Sequence, residues 1–304
     1  MIYTVTFSPA VDYIVDLKTL EKGAINRSQG EHCLAGGKGI NVSIVLANMG
    51  KPSVATGFLG GFTGEFIRKE LENRGIASAF VEVNGNTRIN VKLRGEEETA
   101  INGQGPDIKP EQIEELMAQL EKLGPNDLLV ISGTVPSSLP SDIYEKICER
   151  VKDTRCELVV DATKDILLNT LKYNPLLVKP NQEELEEMFH VEIHNEEELI
   201  ENAEKLVALG AKNVIVSLGG DGALLVGEGR KPLHLQAPQG KVVNTVGAGD
   251  SLVAGFIDEY TDSGNIAYAF RKGIATGSAS AFSEGLATKE EVETLLKKME
   301  KKGE

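Results

Sequence analysis

The sequence predicts an α/β fold: a three-layer α/β/α sandwich around a mostly parallel central sheet, with a small antiparallel β lid beside it. Three observations carry this expectation. Short β-branched runs recur at residues 2–7, 54–59, 127–132, 157–162, 176–179 and 214–218, most of them nearly continuous in apolar residues, as strands covered on both faces are. Helical patterns lie between them, and strands alternating with helices argue for a parallel sheet sandwiched by helices. Two stretches, residues 11–32 and 79–102, break the alternation and supply the lid.

In chain order, the run IYTVTF is followed by the first off-pattern stretch, 11–32, which is long and weakly helical. Helical patterns then occupy 39–49 and 64–74, on either side of the second strand run. Residues 79–102 read as strands, with Arg94-Gly95-Glu96 a turn between INVKL and ETAIN. The helix at 110–123 opens on Pro110, which suits a first helical turn, and closes before Gly124-Pro125. Further helices are expected at 141–151, 195–209 (closing at Gly210), 248–260, 266–282 and 288–299. No period of 20 to 50 residues repeats, which argues against a solenoid. The chain, 1–304, reads as a single domain.

The chain has 304 residues and a net charge of −14. That balance excludes wrapping a nucleic-acid backbone, which needs a basic surface, and disfavours an acidic membrane leaflet. It leaves room for a small anionic ligand if a few cations share one cleft. At this length folding buries roughly 75% of the unfolded surface, so no external staple is needed. Trp is absent, and the core is expected to be Val, Leu, Ile and Ala. Cys33, Cys148 and Cys156 sit at no metal-like or disulfide-framework spacing, which suits a reducing compartment. The start has no basic n-region, and no stretch reaches the ~18 apolar residues of a membrane span. A soluble, cytoplasmic protein is expected. Acidic runs at 96–98, 183–187 and 196–198 are read as solvated faces, with Glu184 set aside. His190 and His194, four apart with no third ligand, are read as a surface pair rather than a metal site.

Chemistry is concentrated in four strings. Asn244-Thr245-Val246-Gly247-Ala248-Gly249-Asp250-Ser251 is a small-residue turn running into the amphipathic segment LVAGFIDEY. With nothing bulky at Gly247, Ala248 or Gly249, backbone N–H groups can approach a ligand, and at a helix N-terminus they point outward with the macrodipole behind them. That is an anion hole. Asp250, in the first turn, is either an ordinary helix-start acid or a base that takes a proton while the amides hold developing negative charge.

The second string, Ala35-Gly36-Gly37-Lys38-Gly39-Ile40-Asn41-Val42-Ser43, also opens a helix. It is not a P-loop, because the first Gly is missing and Gly39 replaces the hydroxyl residue. Three glycines around Lys38 still allow backbone contact with a polar ligand, and Asn41 offers a donor and an acceptor. The third, Lys179-Pro180-Asn181-Gln182-Glu183-Glu184, follows the strand LLV, and ligands gather at strand ends in open α/β sheets. Asn181 and Glu184, on one helix face, suit either Mg²⁺ with several waters kept or a capping box. The fourth, Ser217-Leu218-Gly219-Gly220-Asp221-Gly222-Ala223, either holds a nucleotide base or ribose against backbone or is a plain hairpin turn. No G-x-G-x-x-G stands in the right context, which disfavours a dinucleotide-dependent oxidoreductase.

Taken together and in this order, these strings resemble the pfkB family of carbohydrate kinases, whose fold is ribokinase-like. Residues 36–43 are similar to its N-terminal signature, residues 244–256 to its C-terminal signature, and Asn181-Gln182-Glu183-Glu184 to its N-x-x-E motif. The resemblance spans nearly the whole chain. It implies that Asp250 is the base, that Gly247, Ala248 and Gly249 form the anion hole for the transferring phosphoryl group, and that Asn181 and Glu184 position Mg²⁺ through water. Lys179 would lie near the ATP phosphates; Ser217, Gly219 and Gly222 would line the nucleotide pocket. Asp12, with Gly36, Gly37 and Asn41, would hold sugar hydroxyls, with Lys38 in the same cleft.

A branch of the family handling phosphorylated ketohexoses is similar at Arg27 and at Thr87-Arg88-Ile89-Asn90. Arg grips phosphate bidentately and stays charged, so Arg27 and Arg88 from the two lid segments are expected to clamp a substrate phosphate. Each could equally be a surface Arg. The strings FLGGFTGEFI, TRINVKL, INGQGP and AFSEGLATKEEVE most resemble branch members that convert fructose 1-phosphate to fructose 1,6-bisphosphate, and the resemblance implies that reaction, with tagatose 6-phosphate and then fructose 6-phosphate as alternative substrates. Branch members acting on fructose 6-phosphate carry a Lys where this chain has Ile25. The resemblance also allows a homodimer through paired lids. A sugar-phosphate sensor retaining the fold is the non-enzyme alternative, and the intact base and N-x-x-E argue against it.

Overall fold

The computed structural model describes residues 1–301. The apolar runs become strands because β-branched side chains fit a pleated, covered surface. The chain begins with β1 (Ile2–Thr6), β2 (Ala10–Asp16), β3 (Gly30–Gly36) and α1 (Lys38–Asn48). Next come β4 (Ser53–Leu59), α2 (Gly61–Asn73), β5 (Ala77–Ser78), β6 (Val81–Glu82), β7 (Arg88–Arg94) and β8 (Thr99–Asn102). The middle holds α3 (Pro110–Leu120), β9 (Leu128–Ser132), α4 (Ile143–Val151), β10 (Glu157–Asp161), α5 (Lys164–Leu168), β11 (Leu177–Val178) and α6 (Gln182–Phe189). The last part holds α7 (Glu196–Ala208), β12 (Asn213–Ser217), β13 (Ala223–Gly227), β14 (Leu233–Leu235), α8 (Ala248–Ser263), α9 (Ile266–Ala281) and α10 (Lys289–Lys301).

The large sheet runs β14-β13-β12-β11-β10-β9-β1-β4-β5, with β6 also on β4. Its pairs are parallel except at β12–β13 and β13–β14. Alternate strand residues feed two cores, as a period of two requires. Val5, Ile131, Val160 and Val216 pack on one face with α3, α4 and α7. Ile2, Val130, Val159 and Ile215 pack on the other with α1, α8, α9 and α10. β1 pairs with β4 on one side and β9 on the other, so the winding reverses there and the strand ends open a crevice. Thr6, Ser132 and Asp161 stand in register at that crevice. Among the described residues no helix is long and apolar enough to cross a membrane.

The small sheet runs β3-β2-β7-β8. It is mixed, which corrects the expected antiparallel sheet: β2 pairs with β7 in parallel, while β2–β3 and β7–β8 are antiparallel. The reason is topological. β2 and β7 are joined by a long crossover through α1, β4 and α2, and each brings its own hairpin partner. Residues 11–32 are not helical. Asp12 and Asp16, four apart, mimic a helix spacing, but four is also a multiple of two and the segment pairs as a strand. Residues 81 and 82, placed with the lid by sequence, instead extend the large sheet against Phe58 and Leu59.

Candidate active site

The first turn of α8 forms one wall. Gly247 is its N-cap with φ 79°, a left-handed conformation that suits Gly; a Cβ there would meet Leu286 Cδ2 at 2.7 Å and Asn41 Nδ2 at 3.5 Å. The Ala248 N–H turns to the Thr245 carbonyl at 3.2 Å. Among the described residues the N–H groups of Gly247, Gly249 and Asp250 find no acceptor, as the start of a helix leaves them.

Asp250 is 5% exposed and accepts a hydrogen bond from Asn41 Nδ2 at 2.8 Å. Asn41 is set by α1, where its N–H reaches the Gly37 carbonyl at 2.8 Å. Burial pushes the Asp250 carboxyl up, and the Asp161 charge adds to this; Asn41, Lys38 and Lys179 offset it only in part, leaving the group at about 7. A carboxylate at that value is a competent base near neutral pH.

Asp161 was not singled out in the sequence. It ends β10, buried, with Oδ2 3.2 Å from Lys38 Nζ and Oδ1 3.4 Å from Lys179 Nζ. Burial pushes its carboxyl up, but Lys179 and Lys38 outweigh that and hold it below the usual carboxylate range. Burial acts to lower the Lys38 ammonium, while Asp161, Asp250 and Glu184 raise it above its ordinary value. Gly249 lets Lys179 approach α8, since a Cβ there would sit 3.2 Å from Nζ. The only sequence signal for Asp161 was an acid closing an otherwise apolar strand. The hydroxyls of Thr6 and Ser132 beside it are buried and, among the described residues, have no hydrogen-bond partner.

Asn181 and Glu184 make the capping box. Asn181 Oδ1 accepts from the Glu184 N–H at 2.7 Å and Glu184 Oε2 from the Asn181 N–H at 2.9 Å. Ser217 bridges Asn181 in parallel, and its N–H reaches the Pro180 carbonyl at 3.0 Å. The stretch from Ser217 to Gly222 is the hairpin turn between β12 and β13. Within it Gly219 opens a short 3₁₀ turn. The turn thus sits beside the Lys179–Glu184 segment.

The opposite wall is the small sheet. Asp12 Oδ1 accepts from Asn90 Nδ2 at 2.9 Å, and Oδ2 from Lys92 Nζ at 3.0 Å. Asp12 and Asn90 face each other in the β2–β7 register. Gly36 leaves the space, since a Cβ there would lie 2.8 Å from Asp12 Oδ2. Arg88 Nη2 donates to the Ser8 carbonyl at 3.1 Å, and its buried Nε has no partner among the described residues. Burial lowers the Arg88 guanidinium from its ordinary value, opposed by Asp12. Arg27 is different. It is exposed between β2 and β3, and among the described residues it makes no ion pair or hydrogen bond with Arg88 or Asp12. Lys92 was missed, although Arg88, Asn90 and Lys92 alternate on one strand face.

A base, two lysines and free amides at a helix end can together move a proton from a hydroxyl and offset charge on a transferring anion. The description "pfkB family carbohydrate kinase" matches residues 5–293. The chain belongs to the pfkB family of carbohydrate kinases. Such a kinase transfers a phosphoryl group to a sugar, and ATP is the donor implied. The chain is 47% identical to a 1-phosphofructokinase of Bacillus subtilis over 97% of each chain. A D-tagatose-1-phosphate kinase of Bacillus licheniformis is 38% identical over 94% of each. The crystal structure of Escherichia coli phosphofructokinase-2 in complex with fructose-6-phosphate matches with a TM-score of 0.92 at 27% identity, covering 98% of this chain and 99% of that one.

Proposed function

We propose that this kinase phosphorylates fructose 1-phosphate with ATP, giving fructose 1,6-bisphosphate and ADP. The observation that carries the chemistry is the buried Asp250, basic at about 7, at the α8 N-terminus. The substrate assignment is supported by 47% identity to a relative named for that reaction.

In this reading the free primary hydroxyl of the sugar attacks the γ-phosphorus in line, and Asp250 takes its proton. Lys38, Lys179 and the amides at 247, 249 and 250 offset charge on the phosphoryl oxygens. Asp12, Asn90 and Asn41 hold sugar hydroxyls, the unpartnered Oδ1 of Asn90 serving as an acceptor. Ser217, Gly219 and Gly222 line the nucleotide side. Arg88 grips the phosphate already on the sugar. Arg27 joins it only when the loop at 17–29 folds inward, closing the small sheet as a lid that excludes water.

Mg²⁺ fits beside this site. The capping box uses Oε2 of Glu184 and one lone pair of Asn181 Oδ1, leaving hard oxygen donors that suit an ion keeping most of its waters. Asn181 and Glu184 would hold it, and when bound it supplies neutralisation of phosphate charge.

The test is kcat/KM for fructose 1-phosphate, fructose 6-phosphate, tagatose 6-phosphate and tagatose 1-phosphate. Fructose 1-phosphate is expected to lead each rival by at least about 10-fold, the scale of losing one well-placed hydrogen bond. A higher value for any rival overturns the assignment. A second proposal concerns assembly. Tyr13, Val15, Ile89, Val91, Leu93 and Ile101 share one face of the small sheet, all half-buried or exposed. That face suits a second copy, so sedimentation velocity should give a two-chain mass; a monomer at micromolar concentration would exclude it.

A further inference from the structure

Among the described residues, Asp161 is a carboxylate of the crevice that the reaction above leaves without a task. Its side chain is 5% exposed, and its two oxygens are divided between two cations, Lys38 and Lys179. The lysines come from separate elements, the start of α1 and the residue after β11, and among the described residues no other ion pair holds either one. Without Asp161, two ammonium groups and the positive end of α8 would face one another in a poorly solvated crevice, where like charges repel strongly. Its neighbours in register, Ser132 and Thr6, bring only neutral hydroxyls, so nothing on that side can replace its charge.

The charged and polar groups facing Asp250 are Asn41 and Lys38 from α1, Lys179 after β11 and Asp161 on β10. We propose that Asp161 is a positioning residue of the transfer site: it holds Lys38 and Lys179 at a set spacing against the α8 N-terminus and counterbalances the cations that Asp250 would otherwise face. Two lysines so placed can meet the transferring phosphoryl group from two sides while Asp161 cuts the positive charge that Asp250 faces from two to one, so the base keeps more of its proton affinity. The inference rests on the reading of Asp250 as the base.

The test compares pH profiles of kcat and kcat/KM in the full chain, wild type against Asp161→Asn and Asp161→Glu, with circular dichroism to confirm folding. In Asp161→Asn the cations are unbalanced, so the acid limb moves to lower pH. KM for ATP rises, and kcat at the plateau falls by about 10- to 100-fold, the cost of misplaced groups. Asp161→Glu restores charge at a longer reach, so its limb stays near the wild-type pH while kcat remains low. A merely structural role would lower activity without moving the limb.

An unmoved limb in folded Asp161→Asn overturns the proposal, as does a wild-type kcat in Asp161→Glu. So does recovery of Asp161→Asn by raised Mg²⁺ with the limb unmoved, which would assign Asp161 to the metal. If Asp161→Asn fails to fold, Asp161→Glu still decides. Absence of phosphoryl transfer in the wild type itself would instead remove the reading of the site as a kinase centre.

Discussion

Asp250→Asn is expected to lose at least about 10²-fold in kcat, the scale of general-base catalysis, while keeping its affinity for ATP and the sugar phosphate. Asn is nearly isosteric, and its side-chain oxygen can still accept from Asn41. Wild-type turnover in this variant would remove Asp250 from its role. The same substitution should stabilise the fold. In the folded chain the Asp250 carboxyl ionises only near pH 7, against a value of 3.8 in the absence of its surroundings. Between those values the folded protein holds a proton that the unfolded chain releases. The residue's contribution is therefore fully present below about pH 4 and is lost as pH climbs through 7. At pH 8 ionising the buried carboxylate costs on the order of 4 kcal/mol. The Asn variant should melt higher at pH 8 by roughly 5 °C, and the gap should narrow as pH falls toward 5. A gap that does not depend on pH would mean that the burial of Asp250 is not working against its charge.

Arg88→Ala is expected to raise KM for the sugar phosphate about 10- to 100-fold, the worth of charge-assisted hydrogen bonds to a phosphate, and to leave KM for ATP nearly unchanged. The geometry behind this is a half-buried guanidinium with one nitrogen on the Ser8 carbonyl and Nε unpartnered. A donor buried without an acceptor is costly, and an incoming phosphate oxygen would satisfy it. Arg88→Lys keeps the charge and loses the planar fork, so it should fall between the two. An unchanged KM in Arg88→Ala would sink the clamp. Arg27, exposed and apart from these contacts, carries less of that expectation.

Much of this was legible before the fold was known, because it depends on local spacing. The six apolar runs became strands with ends within one residue or so of their limits, since a covered strand must be apolar throughout. The Asn181–Glu184 capping box was one of two readings of three-residue spacing, and its hydrogen bonds form as drawn. Asp161 was not legible. Its partners lie 123 and 18 positions away along the chain, and only the parallel pairing of β1, β9, β10 and β11, with α1 packed on β1 and β9, brings them together. The direction of β7 against β2 was hidden for the same reason. Local pattern gives alternation, but whether two strands run together or opposed is decided by the length and handedness of what joins them.

The mixed small sheet has one further consequence. Every group proposed to recognise the sugar's own hydroxyls and phosphate, apart from Asn41, lies on the small sheet or its loops, whereas the base, the lysines and the helix-end amides belong to the large sheet and its helices. The two sets meet across a crevice but stand on different strands. Descent can therefore exchange one acceptor for another by altering a few strand positions, with the transfer chemistry inherited intact. Relatives named for fructose and for tagatose phosphates over one common framework are the divergence that such a division of labour permits.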